Sequence, residues 1–504
     1  MFYYLKNATN LPINLKRELS LVSYGRDKSL SEAFWEDFSR CAPEIISEAL
    51  NQCPPSELYH FLASAPMDHF GGLLPQIMPI LSKGLPHLLP LVERYCEFKL
   101  RDPTFHPNTK LLEAIVAQGG GDDLACQLLA RHVERLSQLN STHTTNQATP
   151  KNQAPRKRRI AITAEKLSLR YVSYATSYLF WLREFVYLKD FEVFILSDDK
   201  LYDEAQSRSF FGADACFFDI RRLNDQDLLN FIKGLNIDVL FRFSTPRNVL
   251  HDKILGVPVL CFGNNLDLRG GATFTPLRSD QLYGNVRRFI RAKPLFVDPF
   301  WVHTLPAYQN HTPRTSNEII NCILSTNRSL KYSPKYLEAC ASLLNMDSDR
   351  RIIFKFIQVN DTQIRTWITD EFLMRGVGPE QIGFVDRSDP KAHMNFMQRP
   401  GLWLDTFPET GGITTFDALS VGKLSPVLDL GERSNTSWEI YRFFGLTPIL
   451  NSNLADYIKQ ANELMIAPSD TQHLAHLEGW RYLSDHAGFS QMIAQFVKND
   501  IIPY

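Results

Sequence analysis

The sequence predicts an α/β protein in three parts: an all-helical segment, then two facing, doubly wound domains. Three observations carry this reading. Residues 1 to about 136 place apolar residues at three and four spacing and show no strand-like alternation. From Ile160 the texture changes to short apolar runs alternating with amphipathic segments, as in parallel sheets covered on both faces. The alternation runs through two successive series, and 504 residues are too many for a single core. The expected boundaries are 1–139 for the helical domain, 140–159 for a linker, 160–300 for the first α/β domain and 301–504 for the second, with helices at its C-terminal end.

In the helical segment, "SEAFWEDFSRCAPEIISEAL" and "DLACQLLARHVERLSQL" have the amphipathic helical period. The linker "NSTHTTNQATPKNQAPRKRR" is polar and aperiodic, and its basic end reads as solvated. The first series runs "RIAIT", "SYATSYLFWLREFVYL", "FEVFILS", "DQDLLNFIKGLN", "IDVLFRFS" and "GVPVLCFG". The second runs "IINCILS", "SPKYLEACASLL", "RIIFKFIQ", "DTQIRTWITDEFLMRG", "QIGFVD", "AHMNFMQ", "GLWLDT", "TTFDALSVG", "LSPVLDL" and "SWEIYRFFG". Each is a strand followed by a helix, or the reverse, and no solenoid repeat is present. Ligands of open α/β sheets bind beyond the carboxyl ends of the strands, so the loops after the second-series strands are the places to look.

Composition narrows the partners. Lys plus Arg (54) nearly cancels Asp plus Glu (55), so no overall field draws the chain to nucleic acid or an anionic membrane. No apolar run approaches the roughly 20 residues needed to span a bilayer, so no transmembrane segment is expected. "MFYYLKNATNLPINLKRELS" has no basic region followed by a long apolar one, and no secretory signal is read there. The eight cysteines are scattered without a C-x-x-C pair, which suits reduced, mostly buried thiols and a cytoplasmic location. Sequons at Asn7, Asn140 and Asn310 then carry little meaning.

Three loops of the second series could carry chemistry. In "LDTFPETGGITTFDAL", Gly411 and Gly412 allow a sharp turn with bare amides, while Thr414 and Thr415 fall at a helix start that favours an anion. Asp417, one turn in, could accept hydrogen bonds from sugar hydroxyls. A plain helix cap at Thr414, with Asp417 complementing the dipole, fits the segment equally well. In "CILSTNRSLKYSPKYLEAC", a strand is followed by Asn327, Arg328 and Lys331, then by Ser333-Pro334 opening a helix. Two cations there suit a diphosphate leaving group, or simply solvent. In "VDRSDPKAHMNFM", Lys391 and His393 stand at a third helix start, as nucleotide contacts or as capping and surface residues. Each element follows a strand of the same sheet, so the three converge on one rim that could hold a nucleotide diphosphate without a metal.

Several motifs are missing. There is no G-x-x-x-x-G-K-[ST], no strand-bound G-x-G-x-x-G, no G-x-S-x-G and no H-E-x-x-H, which removes the P-loop NTPase, dehydrogenase, serine hydrolase and zincin readings.

"LDTFPETGGITTFDALSVGKLSPVL" resembles the signature of glycosyltransferase family 41, the O-GlcNAc transferases and the bacterial relatives that glucosylate Asn of adhesins in the cytosol. The family's Gly-x-Thr-Thr-x-x-Asp pattern stands here as Gly412, Thr414, Thr415 and Asp417, implied to bind the diphosphate and ribose of a UDP-sugar. "TNRSLKYSPKYLEA" resembles its Asn-Gln-x-x-Lys-x-x-Pro segment, with Arg328 in place of Gln and Lys331 as the lysine that neutralises departing UDP. "DPKAHMNFM" resembles its Pro-Lys-x-x-His segment, with Lys391 one residue off the usual spacing. Gln358, at the end of "RIIFKFIQ", is placed with Asn327, Arg328, Lys391, His393 and Gly411 among the implied donor-binding residues. "LNIDVLFRFSTPRN" and "GVPVLCFGNNLDLRGG" resemble the close of the family's first domain, with Gly263-Asn264-Asn265 replacing a Gly-Tyr/His-Pro run. The likeness covers roughly residues 225 to 465. The helical segment has no tetratricopeptide pattern, a layout more similar to the Asn-glucosylating branch.

The resemblance implies a GT-B fold with two Rossmann-like domains, acceptor-side then UDP-sugar-binding. It also implies an inverting transfer of glucose or N-acetylglucosamine to a protein Asn, Ser or Thr, with Lys331 catalytic and neither metal nor other cofactor. No histidine occurs between His143 and His251, so the one relatives present near the acceptor is missing. Alternatives are a UDP-sugar transferase acting on a glycan, lipid or small molecule, and a non-catalytic interaction protein with a decayed nucleotide site.

Overall fold

The computed structural model describes residues 11–24, 30–53, 55–82, 88–102, 104–105, 107, 111, 124, 127–128, 131, 156–164, 174–198, 203–212, 214–243, 250, 252–262, 274–277, 293–296, 321–355, 362–386, 388–408, 410–428, 436–446, 450–466 and 478–501. The chain divides into two compact units, one of Met1–Arg131, Arg314–Arg442 and Leu446–Gln472, the other of His132–Pro313, Phe443–Gly445 and His473–Tyr504. Among the described residues no helix is long and apolar enough to cross a membrane.

The first unit opens with helices α1 (Ile13–Tyr24), α2 (Glu32–Ser39), α3 (Pro43–Gln52), α4 (Pro55–Ala63), α5 (Met67–Ser82) and α6 (Leu89–Lys99). Ser31 caps α2 by accepting from the Phe34 amide, and Pro43 starts α3 where its missing N–H costs nothing. The apolar stripes meet in an aromatic knot: Phe34, Trp35, Phe38 and Phe61 are fully buried, with Trp35 and Phe61 centroids 4.8 Å apart.

The second unit holds β1 (Arg158–Ala164), α7 (Tyr174–Val186), β2 (Phe191–Ser197), α8 (Glu204–Phe211), β3 (Ala215–Asp219), α9 (Asp225–Gly234), β4 (Val239–Arg242), α10 (Asp252–Leu255), β5 (Val259–Cys261), β6 (Phe274–Leu277) and β7 (Lys293–Phe296). They form one seven-stranded parallel sheet in the order β3-β2-β1-β4-β5-β6-β7, a doubly wound arrangement with β1 beside β4 at its centre. One side carries Leu228 and Ile232 of α9 against Ala161 and Leu240; Trp181 of α7 packs on Phe243 and Phe262. Strands β3, β6 and β7 were not expected from the sequence. The last two are four residues long and each contains a proline, which hides the strand signal.

The first unit resumes with β8 (Cys322–Ser325), α11 (Pro334–Asn345), β9 (Arg351–Lys355), α12 (Thr362–Met374), β10 (Ile382–Val385), α13 (Pro390–Met397), β11 (Leu402–Trp403), α14 (Ile413–Ser420), β12 (Val427–Leu428), α15 (Thr436–Phe443), β13 (Leu450–Asn451) and α16 (Leu454–Ile466). Strands β10-β9-β8-β11 make a parallel sheet, and β12 pairs with β13. Ser325 stands opposite Phe354, Lys355 opposite Val385 and Leu324 opposite Trp403, so the four carboxyl ends share one edge.

The C-terminal helices α17 (Gly479–Ser484) and α18 (His486–Phe496) are read from sequence as part of 301–504, but they sit in the unit of the seven-stranded sheet. Phe489 meets Trp181 at 5.1 Å, the Ser490 hydroxyl donates to the Trp181 carbonyl, and Lys498 pairs with Asp190. Buried Trp181 supplies the apolar surface that the amphipathic α18 covers.

Candidate functional site

The carboxyl edge of the four-stranded sheet is built around a carboxylate that the sequence reading did not single out. Asp405 follows β11 and is 3% exposed. Its Oδ1 accepts from Asn327 Nδ2 at 2.9 Å, the Thr406 amide at 2.9 Å and the Gly411 amide at 2.8 Å, while Oδ2 accepts the Ser437 hydroxyl. Burial raises the carboxyl above its ordinary range, opposed by the Ser437 hydrogen bond, the Lys331 charge, and the bonds from Asn327 and Gly411.

The loop after β8 meets this centre. Asn327 is buried, donates to Asp405, and accepts the Thr414 hydroxyl on Oδ1 at 2.7 Å. Tyr332 fixes the same loop by donating to the Asn327 carbonyl at 2.8 Å. Lys331 closes a 3-10 turn, Ser329–Lys331, and its Nζ donates to the Thr410 carbonyl at 2.5 Å. Arg328 starts that turn and is exposed. Ser333 caps α11 as its S-P sequence predicts and also donates to the Phe407 carbonyl at 2.6 Å, tying the β8 and β11 loops together.

The Gly-Thr turn is held from beneath. Gly411 is needed because a Cβ there would lie 2.6 Å from Thr415 Oγ1, 2.7 Å from Thr414 Oγ1 and 3.0 Å from Asp405 Oδ1. Its first role is therefore close approach to the chain's own polar groups. Gly412 is the N-cap of α14 and no side chain caps it, so Thr414 is not a plain helix cap; its hydroxyl is spent on Asn327. Thr415 is fully buried, 2.7 Å from Ser437 Oγ. Because the Ser437 proton goes to Asp405, Thr415 donates to Ser437 and supports the turn from below. What the turn presents is the start of α14, the positive end of its helix dipole, where the Thr415 amide already donates to the Gly412 carbonyl at 3.0 Å.

The third element closes the rim. Asp389 caps α13 through the Ala392 amide at 2.9 Å; Lys391 is exposed on the first turn, and half-buried His393 places Nε2 3.1 Å from Asp417 Oδ2 on α14. Asp417 is 5% exposed and held by that imidazole. The structure thus brings Asn327, Lys331, Gly411, Gly412, Thr414 and Thr415 into one network and joins His393 to Asp417, with Arg328 and Lys391 exposed outside it. Gln358 lies outside the described residues.

Asp405, Thr410 and Ser437 are the residues that reading in one dimension missed. An acid after a strand and a serine at a helix start are ordinary turn and cap residues, and only the fold joins positions 327, 405 and 437.

No family model matches the chain, and no curated protein matches it in sequence. Among solved structures, a Thermobaculum terrenum O-GlcNAc transferase mutant superposes with a TM-score of 0.65 at 16% identity, over 95% of this chain and 96% of that one. Anabaena HepE, solved with UDP and glucose, matches 68% of this chain and 99% of its own at 12% identity, TM-score 0.44. An Escherichia coli trehalose-6-phosphate structure bound with UDP-2-fluoro glucose matches 69% of this chain and 100% of its own, at 12% identity and TM-score 0.45. The first likeness is one of fold: this is a GT-B chain, mixed α/β with parallel sheets behind a helical N-terminal region.

Proposed function

We propose that the chain is a UDP-sugar-dependent glycosyltransferase of the O-GlcNAc transferase-like family 41, moving glucose or N-acetylglucosamine to a protein side chain with inversion. The observation that carries this is the Asp405 network, which fixes Lys331 and the amino end of α14 on one sheet edge. A diphosphate lying there meets a cation and the positive end of the α14 dipole, both set in place before the ligand arrives. The fold shared with an O-GlcNAc transferase, and neighbours solved with UDP or a UDP-sugar analogue, are consistent with that donor.

In this reading negative charge grows on the β-phosphate as the glycosidic bond breaks. Lys331, aided by exposed Arg328 and the α14 dipole, stabilises it, and the charge that a metal would otherwise supply comes from these groups. Asp417, steadied by His393, accepts from the ribose hydroxyls. The acceptor attacks the anomeric carbon from the face opposite UDP, which inverts it. No histidine stands between His143 and His251 to serve as base, so an Asn acceptor fits better than Ser or Thr.

Lys331→Ala is expected to cut turnover by about 10²-fold or more with folding preserved. UDP release is the measure, assayed with UDP-glucose and UDP-N-acetylglucosamine against peptide and non-peptide acceptors. Near-normal turnover in the variant would sink the assignment, and release only with non-peptide acceptors would move the substrate class.

A further inference from the structure

Lys355 closes β9, the strand between β8 and β10, and is 5% exposed. Its neighbour Phe354 packs on Tyr332 and Phe372 on one side of the sheet, so Lys355 points to the other, where α13 lies. There its Nζ donates to Ser388 Oγ at 2.5 Å and stands 5.2 Å from the Phe396 ring centroid. Among the described residues no carboxylate forms an ion pair with it. Burial lowers its pKa, with Asp389 acting the opposite way.

A buried ammonium that, among the described residues, is held by one hydroxyl and a ring is a costly thing to keep for packing alone. It has three donors, and one is used on Ser388. Its place on the rim indicates what the others serve. Lys331 and the α14 turn belong to the β8 and β11 ends, whereas Lys355 and Ser388 belong to β9 and the loop after β10. Strands lie about 4.8 Å apart, so a nucleotide with its diphosphate over β8 and β11 and its ribose at Asp417 extends its base over β9 and β10. His393, one helical turn before Phe396 on α13, marks the ribose side of that path.

We propose that Lys355, positioned by Ser388, reads the nucleobase by donating to the C4 carbonyl of uracil, and so selects uridine over cytidine diphosphate. Cytosine carries an amino donor at that position and would face the ammonium donor to donor. This rests on the nucleotide-binding reading of the same rim.

The test is calorimetric titration of the full chain with UDP and with CDP, for the wild type, Lys355→Met and Ser388→Ala. The wild type is expected to favour UDP by about tenfold or more, in the range of one hydrogen bond to a charged group. Lys355→Met is expected to bring the UDP-to-CDP ratio close to one without lowering the thermal midpoint, since an apolar side chain of similar volume replaces a buried charge. Ser388→Ala, which leaves the lysine but removes its anchor, should lower the ratio part of the way. A wild-type ratio retained in both variants would overturn the base-reading role while leaving nucleotide binding intact. A wild type that binds neither nucleotide would overturn both readings together.

Discussion

Asp405 shows how much of this rim rests on one buried carboxylate. Thr406, Gly411, Asn327 and Ser437 all donate to one buried carboxylate. Asp405→Ala strands those donors, and the expected loss is about 3 kcal/mol or more of unfolding free energy, read by chemical denaturation. An unchanged midpoint would show that the network is not structural. The carboxyl's raised pKa also fixes a pH dependence: its contribution is full below the ordinary carboxylate range, about pH 4, and is lost as pH rises through the folded value. Wild-type stability relative to Asp405→Asn should therefore fall as pH rises above about 4. The candidate residues on α14 and after β8 could be picked out because each follows a strand of one sheet, and the fold joins Asn327, Lys331, Gly411 and Thr414 in one network. Asp405 and Lys355 could not, because an acid after a strand and a lysine ending an apolar run look ordinary until partners distant in sequence arrive.

At the scale of elements, strand-helix alternation was enough to place β8 to β12 and α11 to α15, since each carries its own apolar period and its own punctuation. Ser333-Pro334 and Asp389-Pro390 open α11 and α13 as caps with proline in the first turn. The turn into α14 differs, because its geometry depends on contacts and not on a cap. Its test is Gly411→Ala: the added methyl would press on Thr414, Thr415 and Asp405, so UDP affinity should fall by about tenfold or more and the thermal midpoint should drop. Wild-type affinity in that variant would contradict the tight packing beneath the turn. The missed strands β6 and β7 illustrate the opposite case, four-residue segments whose prolines mask a pairing that the neighbouring strands impose.

For the whole molecule, a helical N-terminal region followed by α/β alternation could be read from texture, but the placement of the C-terminal helices could not. Amphipathicity says that α18 must cover something, and only the fold says that Trp181 on α7 is covered. Trp181→Ala should destabilise that unit by about 3 to 5 kcal/mol while UDP binding, which we propose for the other unit, persists in calorimetry. Joint loss of both would mean that the rim depends on the seven-stranded sheet. The central claim, that the carboxyl edge of the four-stranded sheet holds a nucleotide diphosphate with Lys331 as its cation, is tested most directly by titrating UDP into the wild type and Lys331→Ala at equal ionic strength. Saturable heat is expected with the wild type, and at least about tenfold weaker binding in the variant. No heat with the folded wild type, or equal affinity in the two proteins, would contradict it.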